Sequence, residues 1–203
     1  MSDEVSTRKP TATGGLRVLL LSGSLRSGSL NTAALRAAAE LLGASGQVAA
    51  ADWLRVDPLP FYNADRGADG AGFAEVTSAL RHADGLLIAT PEYNGNPPGF
   101  LLNALDWLSS GPEGGPLLGL SVGTLSASPG ARGGADAQVR LREVLIRCGA
   151  RVTGRVVALD RAAQRLDATG EFSDGDARRR IAAAVTPLLA ACRETTARAG
   201  AHP

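Results

Sequence analysis

Short apolar runs and amphipathic stretches alternate along this chain. Residues 16–21 are apolar apart from Arg17 and stop at a polar Ser-Gly-Ser segment. A run this short, closed by a turn signal, predicts a strand buried on both faces. Leucines and alanines recur at helical spacing over 31–42, and Gly43 and Gly46 close that helix. A weaker strand is predicted over 47–56, followed by Asp57-Pro58-Leu59-Pro60 and a polar loop over 63–72. Phe73, Val76, Ala79, Leu80 and Ala83 share one helical face. Residues 85–90 form another short apolar strand, and Pro97-Pro98 open a helix that reaches Leu108. Proline suits a first helical turn because the donor it lacks would have no partner there. The pattern continues with a strand over 117–124, an amphipathic helix over 135–148 ended by Gly149, a fifth strand over 152–159 and a last helix over 177–197. Pro187 inside that helix predicts a kink or a break.

Five successive strand–helix units predict a parallel sheet with helices on both faces. The expected fold is α/β: a three-layer, doubly wound domain with a five-stranded parallel sheet, occupying residues 15–200 as a single domain. Residues 1–14 are polar and lack an apolar signal core, so a disordered tail and no secretory signal are expected there. No apolar stretch reaches the roughly 18–20 residues that span a bilayer.

The chain has 203 residues, enough to bury a core without staples. Its formal net charge is +1, which gives no long-range attraction to nucleic acid or to a membrane surface. The two cysteines, Cys148 and Cys192, fall in helix-like apolar patterns. They read as small buried hydrophobes of a reducing compartment, and a cytoplasmic location is expected. His82 sits near a helix end and His202 in the tail. Neither has a metal-ligand partner at a useful spacing, and no metal site is expected. A G-x-S-x-G elbow is absent, which argues against a hydrolase.

The polar loops carry the candidate chemistry. In a doubly wound sheet, ligands bind beyond the carboxyl ends of the strands. The first loop there, Ser22-Gly23-Ser24-Leu25-Arg26-Ser27-Gly28-Ser29-Leu30-Asn31, also opens a helix. Helix N-termini present unpaired amides and partial positive charge, which suit a phosphate. Serine and asparagine add donors and Arg26 adds a full charge. The glycine spacing fits neither a dinucleotide fingerprint nor a nucleotide P-loop, and a single phosphomonoester fits better. Read alone, the same loop is also a capped helix start with Ser29 or Asn31 as N-cap. A second loop, Thr90-Pro91-Glu92-Tyr93-Asn94-Gly95-Asn96-Pro97-Pro98-Gly99, leaves the next strand at the same sheet edge, with Tyr93 as an aromatic surface. Asn94-Gly95 is also a common turn, and Glu92 on its own reads as a solvated or locally bonded carboxylate.

Together, SGSLRSGSLN and TPEYNGNPPGFLLNALDWLS resemble the NADPH-dependent FMN reductase family of flavodoxin-like proteins. The loop 126–134, before a helix with Gln138 and Leu141, extends the resemblance from about residue 16 to about residue 157. The resemblance implies that the first loop holds the FMN phosphate, which assigns Ser22, Ser24, Arg26, Ser29 and Asn31. It lays Pro91, Glu92, Tyr93, Asn94 and Gly95 along the flavin ring and ribityl chain, and places Ser126 at the ring's border. The family often carries lysine where this chain has Leu102, and serine where it has Asn96.

The implied activity is hydride transfer from NADPH or NADH to FMN, then electron delivery to a flavin, quinone or similar small-molecule acceptor. No side-chain acid, base or nucleophile is implied, because the flavin carries the chemistry. The alternatives are a flavodoxin-like electron carrier and a flavin-binding sensor without turnover. Typical carriers are acidic, and the near-neutral charge favours the enzyme. Phe100, Leu101, Leu102, Leu105, Trp107 and Leu108 make the helix after the second loop apolar nearly all round. One side of such a helix is expected to meet another subunit, and the family commonly forms dimers or tetramers.

Overall fold

The central strands Leu16–Ser22, Gly85–Ala89 and Ser121–Ala127 bury both of their faces, and this dictates the architecture. The computed structural model describes residues 14–69, 72–111 and 114–200. The expectations for residues 1–13 and for His202 lie outside them. In chain order the elements are β1 (Leu16–Ser22), α1 (Leu30–Ala44), β2 (Val48–Trp53), α2 (Phe73–Arg81), β3 (Gly85–Ala89), α3 (Gly99–Ser109), β4 (Ser121–Ala127), α4 (Ala135–Arg147), β5 (Arg151–Val152), β6 (Ala158–Leu159) and α5 (Gly175–Gly200). The strands run parallel in the order β2-β1-β3-β4-β5, and β6 also pairs with β4.

Successive side chains of a strand point to opposite faces. In β1, Val18 and Leu20 therefore join one core with α1 and α5, around Leu35, Leu42, Ile181 and Leu188. Leu19 and Leu21 join the other with α2, α3 and α4, around Leu80, Leu105, Trp107 and Leu141. This gives three layers, and the unbroken apolar run of β1 follows from having a helix layer on either side.

Three predicted elements differ from the observed ones. The fifth strand is interrupted: only 151–152 and 158–159 lie on β4. Between them the Arg142 guanidinium takes the carbonyls of Thr153 (3.0 Å) and Gly154 (2.6 Å). The strand expected over 117–124 begins only at Ser121, and Leu120 closes a turn onto the Leu117 carbonyl at 3.0 Å. Leu117 and Leu120 are fully buried, so their apolarity serves the core without any ladder. Pro187 does not break the last helix, which runs through it from 175 to 200.

The apolar surface of α3 is largely met inside the chain. Trp107 Nε1 donates to the Pro60 carbonyl at 2.8 Å, and Asn103 Nδ2 donates to the same oxygen at 2.9 Å. Asn103 Oδ1 accepts the Tyr62 amide at 2.7 Å. Tyr62 and Phe73 pack on the Trp107 ring at centroid distances of 5.1 and 5.3 Å. The segment around 60–62 thus covers the face that was expected to need a second subunit, leaving Phe100 and Leu102 half-buried.

Candidate functional site

All three candidate loops leave the carboxyl ends of β1, β3 and β4. The strand order places β1 beside β3, and chain direction reverses there between β2 and β3. This is the switch point where a doubly wound sheet opens a crevice for ligands.

The first loop is held close to the second. Gly23 donates its amide to the Ala89 carbonyl at 2.7 Å. A Cβ on Gly23 would stand 3.0 Å from that oxygen and 3.0 Å from Leu101 Cδ2, so any larger residue would push the two loops apart by a few tenths of an ångström. Ser22 Oγ shares a hydrogen bond of 2.8 Å with Thr32 Oγ1. Ser24 Oγ is 3.4 Å from the Arg26 amide, which donates to it. Ser29 is the N-cap of α1, its Oγ accepting the Thr32 amide at 3.2 Å. The amides of Leu30 and Asn31 take no protein acceptor among the described residues. Arg26 is exposed and carries no carboxylate partner among them. A free cation beside open first-turn amides fits a phosphate group.

Two of the predicted ligand side chains turn inward. Asn31 is 2% exposed. Its Nδ2 donates to the Ala127 carbonyl at 3.0 Å, and its Oδ1 accepts the Ala127 amide at 2.9 Å. The Asn31 side chain thus docks the start of α1 on the end of β4, and only its backbone faces the loop. Ser126 is fully buried, and its Oγ accepts from Gln138 Nε2 at 2.9 Å. Its side chain belongs to the packing of α4 and not to the loop surface.

The second loop is a tight reversal. Tyr93 and Asn96 exchange both backbone hydrogen bonds at 3.0 Å, with φ of 53° at Asn94 and 73° at Gly95. Positive φ at both central positions makes a type I′ turn, which Asn-Gly favours. Tyr93 and Asn94 are exposed at its tip, and Pro91 and Gly95 are half-buried. Glu92 is half-buried and bonds outside its own loop. Its Oε2 accepts the amides of Asp136 and Ala137, both at 3.1 Å, in the first turn of α4. Gly134 is the N-cap residue and has no side chain to offer, so Glu92 supplies the cap from the neighbouring loop.

Three groups shape this edge in roles that the sequence pattern did not assign: Gln138, Thr32 and the residues of a neighbouring cleft. The Gln138 amide is fully buried: Oε1 accepts from Val157 N (2.9 Å) and Thr124 Oγ1 (3.2 Å), and Nε2 donates to Val157 O (2.8 Å) and Ser126 Oγ. It fills the gap between β5 and β6 that a continuous strand would close. Thr32 was invisible as the partner of Ser22. A cleft of about 540 Å³ also opens between the first loop and the end of β2. Trp53, Arg55 and Asp57 line it. Arg55 grips Asp57 with Nε (3.1 Å) and Nη2 (2.7 Å), and that hydrogen bonding holds the Asp57 carboxyl below its usual range. The signal available in the sequence was an Arg-x-Asp spacing just past a strand.

The comparisons with known proteins agree with this geometry. The family model described as NADPH-dependent FMN reductase matches residues 16–164. An NAD(P)H-dependent FMN reductase of Pseudomonas aeruginosa is 39% identical over 169 residues, covering 82% of this chain and 89% of the relative. A quinone reductase of Escherichia coli K12 is 37% identical over 182 residues, covering 77% of this chain and 95% of the relative. Among solved structures, the flavoenzyme NAD(P)H:(acceptor) oxidoreductase FerB of Paracoccus denitrificans superposes with a TM-score of 0.77 at 28% identity, over 89% of this chain and 98% of that one. The matched span contains all three loops and the strands that carry them. This chain belongs to the NADPH-dependent FMN reductase family.

Proposed function

We propose that the protein is an NAD(P)H-dependent FMN-containing oxidoreductase that passes electrons to a small-molecule acceptor such as a quinone or free flavin. The observation that carries this reading is the joining of three loops at the switch point by Asn31–Ala127 and by Glu92 on the first turn of α4. When bound, FMN supplies hydride acceptance and onward electron delivery. The chain's own groups bind and orient. Ser22, Ser24, Ser29 and Arg26, with the open amides of α1, suit the phosphate. Pro91 and the backbone of the Tyr93–Asn96 turn, with the Tyr93 ring, offer a wall for a flat ring system. Glu92 and the buried Ser126–Gln138 pair keep the third loop at a fixed distance from that wall.

The same reading includes a homodimer or homotetramer. Phe61 is 89% exposed between two anchored neighbours, Pro60 and Tyr62. A second apolar stripe, Val139 and Ile146, is exposed on α4 between the charges Asp136, Arg140, Glu143 and Arg147. In an antiparallel contact between two copies of this helix, Asp136 would lie opposite Arg147 and Arg140 opposite Glu143. This is the self-complementarity that an isologous contact needs. Both cysteines are thiols, which supports a reducing, cytoplasmic setting. No helix among the described residues is long and apolar enough to cross a membrane.

The test is an absorbance spectrum of the protein reconstituted with FMN, then mixed anaerobically with NADPH or NADH. Bound flavin that bleaches within seconds is the expected result. Bound flavin that stays oxidised with both donors would favour an electron carrier or sensor, and no bound flavin would sink the reading.

A further inference from the structure

The switch-point crevice lies between β1 and β3, and the cleft of about 540 Å³ adjoins it beyond the ends of β1 and the edge strand β2, with Phe100 at the start of α3 also on its wall. Its volume is that of a small-molecule site. Trp53, the last residue of β2, is 45% exposed there. An indole left half-open in a wall is a stacking surface for a flat base. Two residues on, Arg55 has its guanidinium fixed by Asp57 through Nε and Nη2. The other donors of that fork stay unengaged among the described residues, on a side chain that is 76% exposed. Ser22 and Ser24 of the first loop and Thr32 of α1 form the opposite wall, so the cleft shares a border with the seat proposed for the flavin phosphate.

We propose that this cleft receives the adenosine 2′-phosphate end of NADPH, with Trp53 stacking on the adenine and the free side of the Arg55 fork holding the 2′-phosphate. The proposal rests on the oxidoreductase reading above. Neighbouring strands lie about 4.8 Å apart, so this cleft is one spacing, about 5 Å, from the crevice between β1 and β3. An extended dinucleotide bridges that distance with its nicotinamide at the flavin. NADH offers Arg55 only a hydroxyl, so the fork favours NADPH. Asp57 orients the fork and offsets part of its charge, which keeps the preference moderate, about tenfold.

The test uses the FMN-loaded protein. 2′,5′-ADP and 5′-AMP are titrated calorimetrically and by tryptophan fluorescence into the unaltered protein and into Arg55→Ala, Arg55→Lys and Trp53→Leu. FMN affinity is measured in each. The expected result is that 2′,5′-ADP binds about tenfold tighter than 5′-AMP. Arg55→Ala closes that gap, Arg55→Lys keeps part of it, Trp53→Leu weakens both probes, and FMN affinity stays unchanged throughout. Equal affinity for the two probes, or a gap that survives Arg55→Ala, would overturn the proposal. Displacement of FMN by 2′,5′-ADP would overturn it too, because the cleft would then be the seat of the flavin phosphate. Failure of the underlying reading shows separately, as absence of FMN binding by the unaltered protein, and removes the proposal with it.

Discussion

The Glu92 carboxylate caps the helix that begins at Ala135, accepting the amides of Asp136 and Ala137 from 44 and 45 residues away. A cap supplied at that sequence distance fixes two loops relative to each other as well as ending a helix. Glu92→Ala should cost about 1–2 kcal/mol of stability and also raise the Kd for FMN. Glu92→Gln keeps one acceptor and should recover most of the stability. Thermal unfolding with parallel FMN titration separates the two effects. An unchanged flavin affinity in Glu92→Ala would limit the residue to capping.

Gln138 is the residue whose loss should hurt most. Gln138→Leu removes four buried hydrogen bonds and leaves the Val157 amide without its acceptor. The expected cost is about 3 kcal/mol, which lowers Tm by about 6–12 °C in a domain of this size. Calorimetric unfolding checks it. A loss of only about 1 °C would mean that water or a neighbouring group replaces the amide.

Arg26 should matter for the flavin and not for the fold, because it is exposed and no carboxylate holds it. Arg26→Ala is expected to weaken FMN binding about tenfold to a hundredfold at an unchanged Tm. An unaltered Kd would remove Arg26 from the phosphate site.

The exposed stripe on α4 predicts assembly. Val139→Asp combined with Ile146→Asp should convert a dimer into monomers in analytical ultracentrifugation, since neither side chain supports the protomer's own core. A monomer in the unaltered protein at micromolar concentration would remove the need for a partner on that face.

Acid should unfold the region before α5. The Asp167 carboxyl is pulled from about 3.8 to about 2, first by the Thr169 hydroxyl and then by the Glu171 and Thr169 amides. Asp160, beside Arg180, and Asp174, capping α5, also lie low. A depressed folded-state pKa means stabilisation that is complete above about 3.8 and lost as pH falls toward 2. Tm should be flat near neutrality and decline below about pH 4, with a shallower decline in Asp167→Asn.

The layered fold was legible because a sheet covered on both sides needs unbroken apolar strands, and β1, β3 and their helices carry that pattern plainly. The ends of the sheet were less so. Leu117 and Leu120 look like a strand start because burial, not pairing, selected them. The predicted strand is interrupted over 153–156, where Arg142 takes the carbonyls of Thr153 and Gly154 and Gln138 binds the backbone of Val157, and none of these helix side chains is visible in a strand pattern. At the site, the loops were found but not the direction of their side chains. Asn31, Glu92 and Ser126 are polar residues at the carboxyl edge of the sheet, and a one-dimensional pattern does not distinguish facing a ligand from facing another loop. Trp53 and Arg55 read as the tail of a weak strand because their cleft exists only once β2 lies beside β1.

The paired hydrogen bonds between Asn31 and the backbone of Ala127 bear on how quickly a ligand would be captured. They hold the start of α1 on the sheet at rest, so that segment need not fold around an arriving molecule. Association is then governed by diffusion and charge, and differences among variants emerge in residence time. On the proposed reading, a chain built this way would reload promptly after losing its flavin, and residence time would rest on the few groups proposed for the phosphate.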